Sequence, residues 1–175
     1  MEQLQEYDYS KLGGWCLAKE TVDWIDKNIK HGSTILELGS GEASYQLSKR
    51  YKIYSVEHDP SYLNIHENVN YVYAPLFKTE FSKFCWYNYK NIKIAVEGFG
   101  IKQSLLIIDG PIGHDRLNYL CYMKKCGISL DCYIIVDDTN READNLLAQT
   151  LACMLYRKTE KIFTSCGKSF TVIHY

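Results

Sequence analysis

Short apolar runs alternate with longer amphipathic segments along most of the chain. The runs are rich in branched aliphatic residues and have the length of buried strands; they cover 34–38, 53–57, 69–74, 104–109 and 132–137. Apolar residues recur at helical spacing in the segments around them, which cover 14–30, 43–51, 116–125 and 142–156. Asp59-Pro60 is a typical helix start and predicts a further helix. This alternation predicts a parallel sheet covered by helices on both faces.

The end of the chain has a different pattern. Two segments of strand character, 161–165 and 169–174, are separated by Cys166-Gly167-Lys168, which predicts a hairpin. We therefore expect an α/β fold that is Rossmann-like and doubly wound, with a mostly parallel seven-stranded sheet and a C-terminal antiparallel hairpin. The length of 175 residues fits a single domain over residues 1–175.

The stretch 75–102 shows no clear period. Its part 81–89 holds five aromatic residues, which are suited either to packing or to stacking on a planar or sugar ring. Because aromatic clusters pack in cores and lids more often than they form substrate cages, we expect packing here.

Composition and charge narrow the class of protein. Hydrophobic residues make up 46% and charged residues 23%, which is ordinary for a folded soluble domain. Lys and Arg (20) nearly balance Asp and Glu (21), and without a basic excess we expect no nucleic-acid partner. The seven cysteines form no C-x-x-C pair, which favours reduced thiols in a reducing compartment. The first 15 residues lack a signal-peptide pattern and no apolar run has membrane length, so we expect a cytoplasmic protein without a membrane partner.

The turn after the first predicted strand has the composition of a nucleoside-binding loop. Glu37-Leu-Gly39-Ser40-Gly41 follows the strand, and the two glycines allow a tight turn and a close approach of the backbone to a ligand. Glu57 ends the second strand, where a carboxylate can accept hydrogen bonds from both hydroxyls of a ribose. Ligands of open α/β sheets bind at these carboxyl ends of the strands.

Two features favour S-adenosylmethionine over a dinucleotide. The third glycine position of the G-x-G-x-x-G pattern is Ser44, although that pattern is typical of NAD sites. Glu37 suits a ligand that carries an ammonium group and would repel a pyrophosphate. Trp15, beside Gly13 and Gly14, is a candidate to cover the cofactor.

These motifs resemble those of the class I S-adenosylmethionine-dependent methyltransferases, and the similarity extends over most of the chain. The resemblance implies that Gly39 and Gly41 line the methionine moiety, with Ser40 between them in the cofactor loop. It further implies that Glu57 holds the ribose and that His58 lies near the adenine. Many members have an Asp after the third strand, whereas this chain has Ala74, which implies a backbone contact to the adenine.

Three carboxylates follow the fourth and fifth strands of the predicted parallel sheet. Asp109 ends one, and Asp137 and Asp138 end the next, so all three face the cleft that holds the cofactor. Three hard oxygen ligands suit Mg²⁺, which would lower the pKa of a bound substrate hydroxyl. Asp109 as a contact to the cofactor amine, or Asp138 as a helix cap, are the alternatives.

The same segments resemble the cation-dependent O-methyltransferases of catechol and caffeoyl type. Asp109 and Asp137 match two of the metal ligands of that family, and Asp138 stands where those enzymes have Asn. The position of their lysine general base is occupied by Ile112 here, so the resemblance identifies no general base in this chain. A weaker likeness connects the chain to small bacterial and sugar-modifying methyltransferases, including the glucuronoxylan O-methyltransferases.

His114 is the candidate general base, because an imidazole accepts a proton near neutral pH and Asp115 is adjacent to it. A loop histidine that faces solvent is the alternative. Together with Asp109, His114 completes the predicted catalytic pair.

The sequence therefore predicts O-methylation of a small molecule, a sugar or a phenol, by in-line transfer from S-adenosylmethionine. Methylation of nucleic acid or protein, aminopropyl transfer, an NAD-dependent oxidoreductase and a non-catalytic nucleoside-binding module are the alternatives. The Asn-Pro-Pro-Tyr motif of amino-methylating enzymes is missing from the sequence. The oligomeric state is open, with a homodimer as one alternative.

Overall fold

The computed structural model describes residues 6–80 and 83–175. The described residues contain nine strands: β1 (Thr34–Leu38), β2 (Lys52–Glu57), β3 (Val69–Tyr73), β4 (Leu76–Lys78), β5 (Cys85–Tyr87), β6 (Leu105–Ile108), β7 (Tyr133–Val136), β8 (Thr159–Phe163) and β9 (Ser169–Ile173). Five α-helices accompany them: α1 (Lys19–Asn28), α2 (Glu42–Ser48), α3 (Tyr89–Gly98), α4 (Tyr119–Tyr122) and α5 (Glu142–Leu155). None of these helices combines the length and the apolar character needed to cross a lipid bilayer.

Seven strands form one sheet in the order β3-β2-β1-β6-β7-β9-β8. The first five are mutually parallel, while β9 pairs antiparallel with both β7 and β8. The prediction of a mostly parallel, seven-stranded sheet with a C-terminal antiparallel hairpin is confirmed.

Alternating side chains of the central strands pack into two separate apolar clusters, one on each face of the sheet. In β1, Ile35 belongs to one cluster and Leu36 to the other, and both are fully buried. The same alternation holds in β6 for Leu105 and Leu106. Burial on both faces explains why these strands are continuous apolar runs, as expected of a parallel sheet between helices.

Three predicted helices are shorter than the apolar pattern indicated. The helix expected over 14–30 begins only at Lys19, because Gly13 and Gly14 have φ values of 86° and 61° and form a turn. Asp59-Pro60 starts a single 3-10 turn, Pro60–Tyr62, because Leu63 is extended. The segment predicted as 116–125 divides into a 3-10 helix, Gly113–Asn118, and the short α4.

The stretch without a clear period contains β4, β5 and α3, and β4 and β5 form a separate antiparallel pair. Trp86 is fully buried in the core cluster of one sheet face, which supports packing as its role. Phe81 and Ser82, the first two residues of the aromatic stretch, lie outside the described residues, as do residues 1–5 of the segment inspected for a signal peptide.

Candidate cofactor and acceptor site

A cleft of about 550 Å³ lies at the carboxyl ends of the central parallel strands. This volume falls within the range of about 300–1,000 Å³ typical of small-ligand sites. The lining comes from the loops after β1, β2, β6 and β7, together with the N-terminal turn and the β8–β9 hairpin. The cleft therefore occupies the place where open α/β sheets bind ligands.

The turn after β1 has a conformation and a closeness of packing that require glycine. Gly39 has a φ of 99°, and a Cβ on it would lie 2.9 Å from the backbone nitrogen of Gly110. The N–H groups of Asp109 and Gly110 both donate to the carbonyl of Leu38, at 3.0 and 2.5 Å. The loops after β1 and β6 are thus in backbone contact, and no side chain fits between them.

Glu57 is buried and its carboxylate connects the loops after β1 and β2. Oε2 accepts a hydrogen bond from the Ser40 N–H at 2.9 Å. Oε1 accepts from the backbone N–H groups of His58 and Asp59, at 2.6 and 2.8 Å. Glu57 and Ser40 both line the cleft, as does Gly41. Three backbone donors fix the carboxylate, and Oε2, which accepts only one of them, is the oxygen with capacity for a ligand.

Glu37 lies behind the cofactor loop rather than on the cleft wall. Its side chain is buried, and Oε1 has no hydrogen-bond partner among the described residues. Burial raises the pKa of Glu37 to about 8, against the opposing effect of the nearby hydroxyls of Ser44 and Ser55. The structure therefore places Glu37 within reach of the loop, but not in contact with the cleft.

Of the two residues predicted near the adenine, one lines the cleft and the other does not. His58 lines the cleft, with its Nδ1 2.8 Å from Glu57 Oε1. Ala74 is fully buried, and its N–H donates to the carbonyl of Glu57 at 2.8 Å. Ala74 does not line the cleft, so the expected backbone contact to the adenine has no support in this geometry. Tyr62 and Ile65, which the sequence did not single out, line this side of the cleft.

The three aspartates predicted to converge do so. One carboxylate oxygen each of Asp109, Asp137 and Asp138 lies within 4.8 Å of the others. Asp109 and Asp138 line the cleft, while Asp137 is almost completely buried behind them.

A buried guanidinium lies against these carboxylates. Arg116 Nη2 is 3.1 Å from Asp109 Oδ1 and 3.4 Å from Asp138 Oδ2. Its Nη1 is 3.4 Å from Asp144 Oδ1, and its Nε donates to the carbonyl of Pro111 at 3.0 Å. Arg116 was predicted only as a helix residue, and its role depends on contacts far apart in sequence.

A second cation reaches the cluster from the β8–β9 hairpin. Lys168 Nζ lies 3.1 Å from Asp138 Oδ1 and 3.4 Å from Asp137 Oδ2, and it donates to the Cys16 carbonyl at 3.1 Å. The surrounding carboxylates raise the pKa of Lys168, although burial opposes them. Lys168 is therefore a protonated ammonium at neutral pH.

The charge balance of the cluster decides whether Mg²⁺ fits. Four carboxylates, those of Asp109, Asp137, Asp138 and Asp144, face the cations of Arg116, Lys168 and Arg141. One negative charge remains, and burial with the neighbouring carboxylates raises the pKa of Asp137 to about 7. A dication within a few ångströms of two buried cations would be strongly repelled. The residues present do not fit Mg²⁺, although the three-carboxylate geometry alone suggests it.

His114 is placed away from the predicted chemistry. Its ring is exposed, stacks against Phe84 at a centroid distance of 5.6 Å and does not line the cleft. The Asp115 carboxylate accepts a hydrogen bond from the Cys85 N–H at 3.1 Å, so it fixes the β5 strand. This geometry gives no support to the prediction of His114 as general base, since the imidazole is not part of the cleft wall.

Two aromatic residues complete the cleft. Trp15 lines it from the N-terminal turn and is 88% exposed, in the place expected of a cofactor cover. Tyr87 lines it from β5, and its fully buried hydroxyl has no hydrogen-bond partner in the described part of the chain. A Cβ on Gly110 would lie 2.2 Å from that hydroxyl, so Gly110 makes room for Tyr87.

Comparison with known proteins rests on structure alone. No family model matches the chain, and no curated protein matches it. The structure is similar to the MycE methyltransferase from the mycinamycin biosynthetic pathway, solved with Mg, SAH and mycinamycin VI, with a TM-score of 0.56 and 10% identity. The match covers 94% of this chain and 51% of that one, so this chain spans about half the length of MycE.

Two further neighbours are nearer to this chain in length. The E. cuniculi Mtq2–Trm112 complex matches with a TM-score of 0.50 and 17% identity, over 99% of this chain and 97% of that one. A methyltransferase-like protein from Silicibacter pomeroyi DSS-3 matches with a TM-score of 0.51 and 16% identity, over 90% and 87%. The chain therefore shares its fold with these solved structures, which include methyltransferases.

Proposed function

We propose that this protein is an S-adenosylmethionine-dependent methyltransferase that acts on a hydroxyl of a small molecule, a sugar or a phenol, within one cofactor-binding domain over residues 1–175. The observation that carries the proposal is the Glu57 carboxylate, which three backbone N–H groups fix at the edge of the cleft. The methyltransferase fold of the neighbours supports the same cofactor.

The position of each cleft residue suggests how the cofactor binds. The ribose hydroxyls donate to Glu57, and the adenine lies on the side of His58, Tyr62 and Ile65. The methionine moiety extends over Gly39, where the backbone contact with Gly110 leaves the surface free of side chains. Its ammonium and sulfonium groups approach the acidic cluster.

The charge of the site is suited to this cofactor. The cluster has one uncompensated negative charge, and burial raises the pKa of Asp109. A ligand ammonium beside Asp109 would favour its ionised form, because an opposite charge lowers the pKa of an acid. A pyrophosphate at the same place would meet the net negative charge of the cluster, with Asp109 and Asp138 on the cleft wall, which argues against a dinucleotide.

Methyl transfer from a sulfonium is a displacement on an activated donor, so the protein has mainly to align the acceptor oxygen with the methyl group. Asp109 lies at the border between the cofactor loop and the acceptor side, where its carboxylate can receive the hydroxyl proton. We assign the catalytic role to Asp109 and none to His114. The cleft volume of about 550 Å³ favours a small acceptor beside the cofactor.

The first test is calorimetric titration of S-adenosylmethionine, S-adenosylhomocysteine and NAD into wild type, Glu57→Gln and Glu97→Gln. Glu57→Gln keeps the side-chain shape but replaces an ionised acceptor, and we expect its affinity for S-adenosylhomocysteine to fall by a factor of about 10–100. Glu97, on the exposed surface of α3, is the matched control and should leave binding unchanged. Binding of NAD in place of both sulfur ligands would overturn the proposal.

Protein methylation is the second candidate function. It is favoured by the match to Mtq2, a protein of nearly the same length whose complex is described as responsible for methylation of the eRF1 translation termination factor. The segment Asp109-Gly110-Pro111-Ile112 lacks the Asn-Pro-Pro-Tyr motif of amino-methylating enzymes, which argues against it. Incubation with radiolabelled cofactor and separate pools of catechols, sugars and protein extract distinguishes the two. Binding without any turnover identifies a non-catalytic module.

A further inference from the structure

We propose that Lys168 and Arg116 take the place of a metal ion, so that the acidic cluster works without a divalent cation and Lys168 is its positioning residue. The part of this inference that concerns the acceptor rests on the proposed methyltransferase function. The part that concerns metal binding can be tested on the protein alone.

The first argument is the set of oxygens already in use. Lys168 Nζ is shared between Asp137 Oδ2 and Asp138 Oδ1, and Arg116 Nη2 between Asp138 Oδ2 and Asp109 Oδ1. The two cations therefore connect all three candidate ligands in a chain. A metal ion would have to replace these contacts at the same carboxylates.

The second argument is burial. The side chains of Arg116 and Lys168 are 5% and 14% exposed, so protein covers most of each cation's surface and little of either is left to water. The Arg116 guanidinium also donates hydrogen bonds to the carbonyl oxygens of Pro111 and Asp137, at 3.0 and 3.3 Å. A planar guanidinium with this many partners is fixed in orientation.

The third argument concerns what Lys168 holds in place. Its third contact is the carbonyl of Cys16, next to Trp15 on the cleft wall. Lys168 therefore joins the β8–β9 hairpin, the loop after β7 and the N-terminal turn at a single atom. In this arrangement the Lys168 ammonium holds the carboxylates in position relative to the acceptor side of the cleft. Asp109 is then the residue that accepts the proton of the acceptor hydroxyl.

The experiment uses Mn²⁺ and Mg²⁺ as probes of the cofactor-free protein. We expect wild type to show no Mn²⁺ bound at the cluster, measured by the free Mn²⁺ resonance signal up to millimolar metal. Lys168→Ala removes one cation and frees oxygens of Asp137 and Asp138, and we expect it to gain Mn²⁺ affinity at least tenfold. The melting temperature of Lys168→Ala should fall, and Mn²⁺ should restore part of the loss.

Two variants control for charge and for folding. Lys168→Arg keeps the cation and should bind no Mn²⁺. Lys161→Ala removes another hairpin lysine, whose Nζ donates to the Thr139 carbonyl and the Asn145 side chain, and should behave as wild type. Lys168→Gln replaces the alanine variant if the latter does not fold, and the same gain of Mn²⁺ affinity is expected.

Wild type decides the inference even if no Lys168 variant folds. Tight Mn²⁺ binding to wild type that Asp138→Asn abolishes would overturn it, as would methyl transfer that stops in EDTA and returns with Mg²⁺. Absence of Mn²⁺ binding, with transfer unaffected by EDTA, supports it. If no cofactor binds at all, the proposed function fails, while the metal titration still gives its answer.

Discussion

At the scale of single residues, Glu37 is an ionisable group in an unusual environment. It is a carboxyl in the second-to-last position of a central strand, fully surrounded by protein, with one oxygen lacking a partner among the described residues. Burial favours the protonated form of a carboxyl and here outweighs the opposing effect of the Ser44 and Ser55 hydroxyls, which is why the pKa of Glu37 is raised to about 8. The protein therefore tolerates an internal acid directly below the cofactor loop.

This environment predicts a dependence of stability on pH. Between the ordinary pKa of 4.5 and the raised value of about 8, folded Glu37 retains a proton that the unfolded chain has released. The free energy of unfolding should then fall as pH rises through this window, by at most ~1.4 kcal/mol per pH unit for one group. Asp144 and Asp137, with pKa values raised to about 6 and about 7, act in the same direction.

Glu37→Gln should reduce that slope. Relative to wild type, the free energy of unfolding of the cofactor-free variant should be higher at pH 8 than at pH 5.5, by an amount on the order of 1–3 kcal/mol. Urea unfolding of wild type and variant at both pH values measures the difference. Glu97→Gln, on the exposed face of α3, should keep the wild-type slope. Equal slopes for wild type and Glu37→Gln would show that Glu37 is already ionised in the fold.

The residues of the site differ in how far sequence could reveal them. Glu57 and Gly39 belong to a local motif, and both line the cleft in the structure. Arg116 and Lys168 have no such signal, because their carboxylate partners are 7 to 31 residues away and meet them only after the sheet has formed. For the same reason the three aspartates suggested a metal, since their neutralising cations could not be seen in the sequence.

At the scale of elements, the apolar strands could be predicted almost to the residue, as could α5, whereas the ends of several other helices could not. Burial on both faces makes each parallel strand a continuous apolar run, and that run is visible in the sequence. Helix starts depend on local backbone geometry: Gly13 and Gly14 turn the chain and delay α1 to Lys19. The short β4 and β5 pair only with each other, so neither has the pattern of a central strand.

The contact between the loops after β1 and β6 leads to a prediction at this scale. Gly39 and Gly32 both have positive φ, at 99° and 81°, so alanine at either site carries a similar backbone strain, about 1 kcal/mol. Only at Gly39 does the new Cβ also meet backbone, 2.9 Å from the Gly110 nitrogen, whereas Gly32 has open space around it.

Gly39→Ala should therefore separate the two loops and weaken S-adenosylhomocysteine binding by at least tenfold, while Gly32→Ala should lose stability alone. Calorimetric titration together with thermal unfolding of both variants distinguishes the two effects. Equal loss of affinity in both would mean that backbone strain, and not the contact of the loops, limits binding.

At the scale of the whole molecule, the cleft is built from segments that are distant in the chain. The cleft is lined by Trp15 from the N-terminal turn, Glu57 from the end of β2, Asp109 from the loop after β6 and Lys168 from the last hairpin. A ligand that contacts these segments at once binds only the folded chain, so its binding energy adds to the stability of the entire fold.

The size of that effect can be stated in advance. At a cofactor concentration 100 times Kd, the added stability is ~2.7 kcal/mol, which for a protein of this length corresponds to a rise of roughly 5–10 °C in Tm. S-adenosylhomocysteine should give this shift in wild type by scanning calorimetry, increasing with the logarithm of its concentration. At the same concentrations Glu57→Gln should show a much smaller shift, because the lost ribose contact raises Kd. A full shift in Glu57→Gln would mean that the ligand binds elsewhere than at the end of β2, and the assignment of the cleft as the cofactor site would then be wrong.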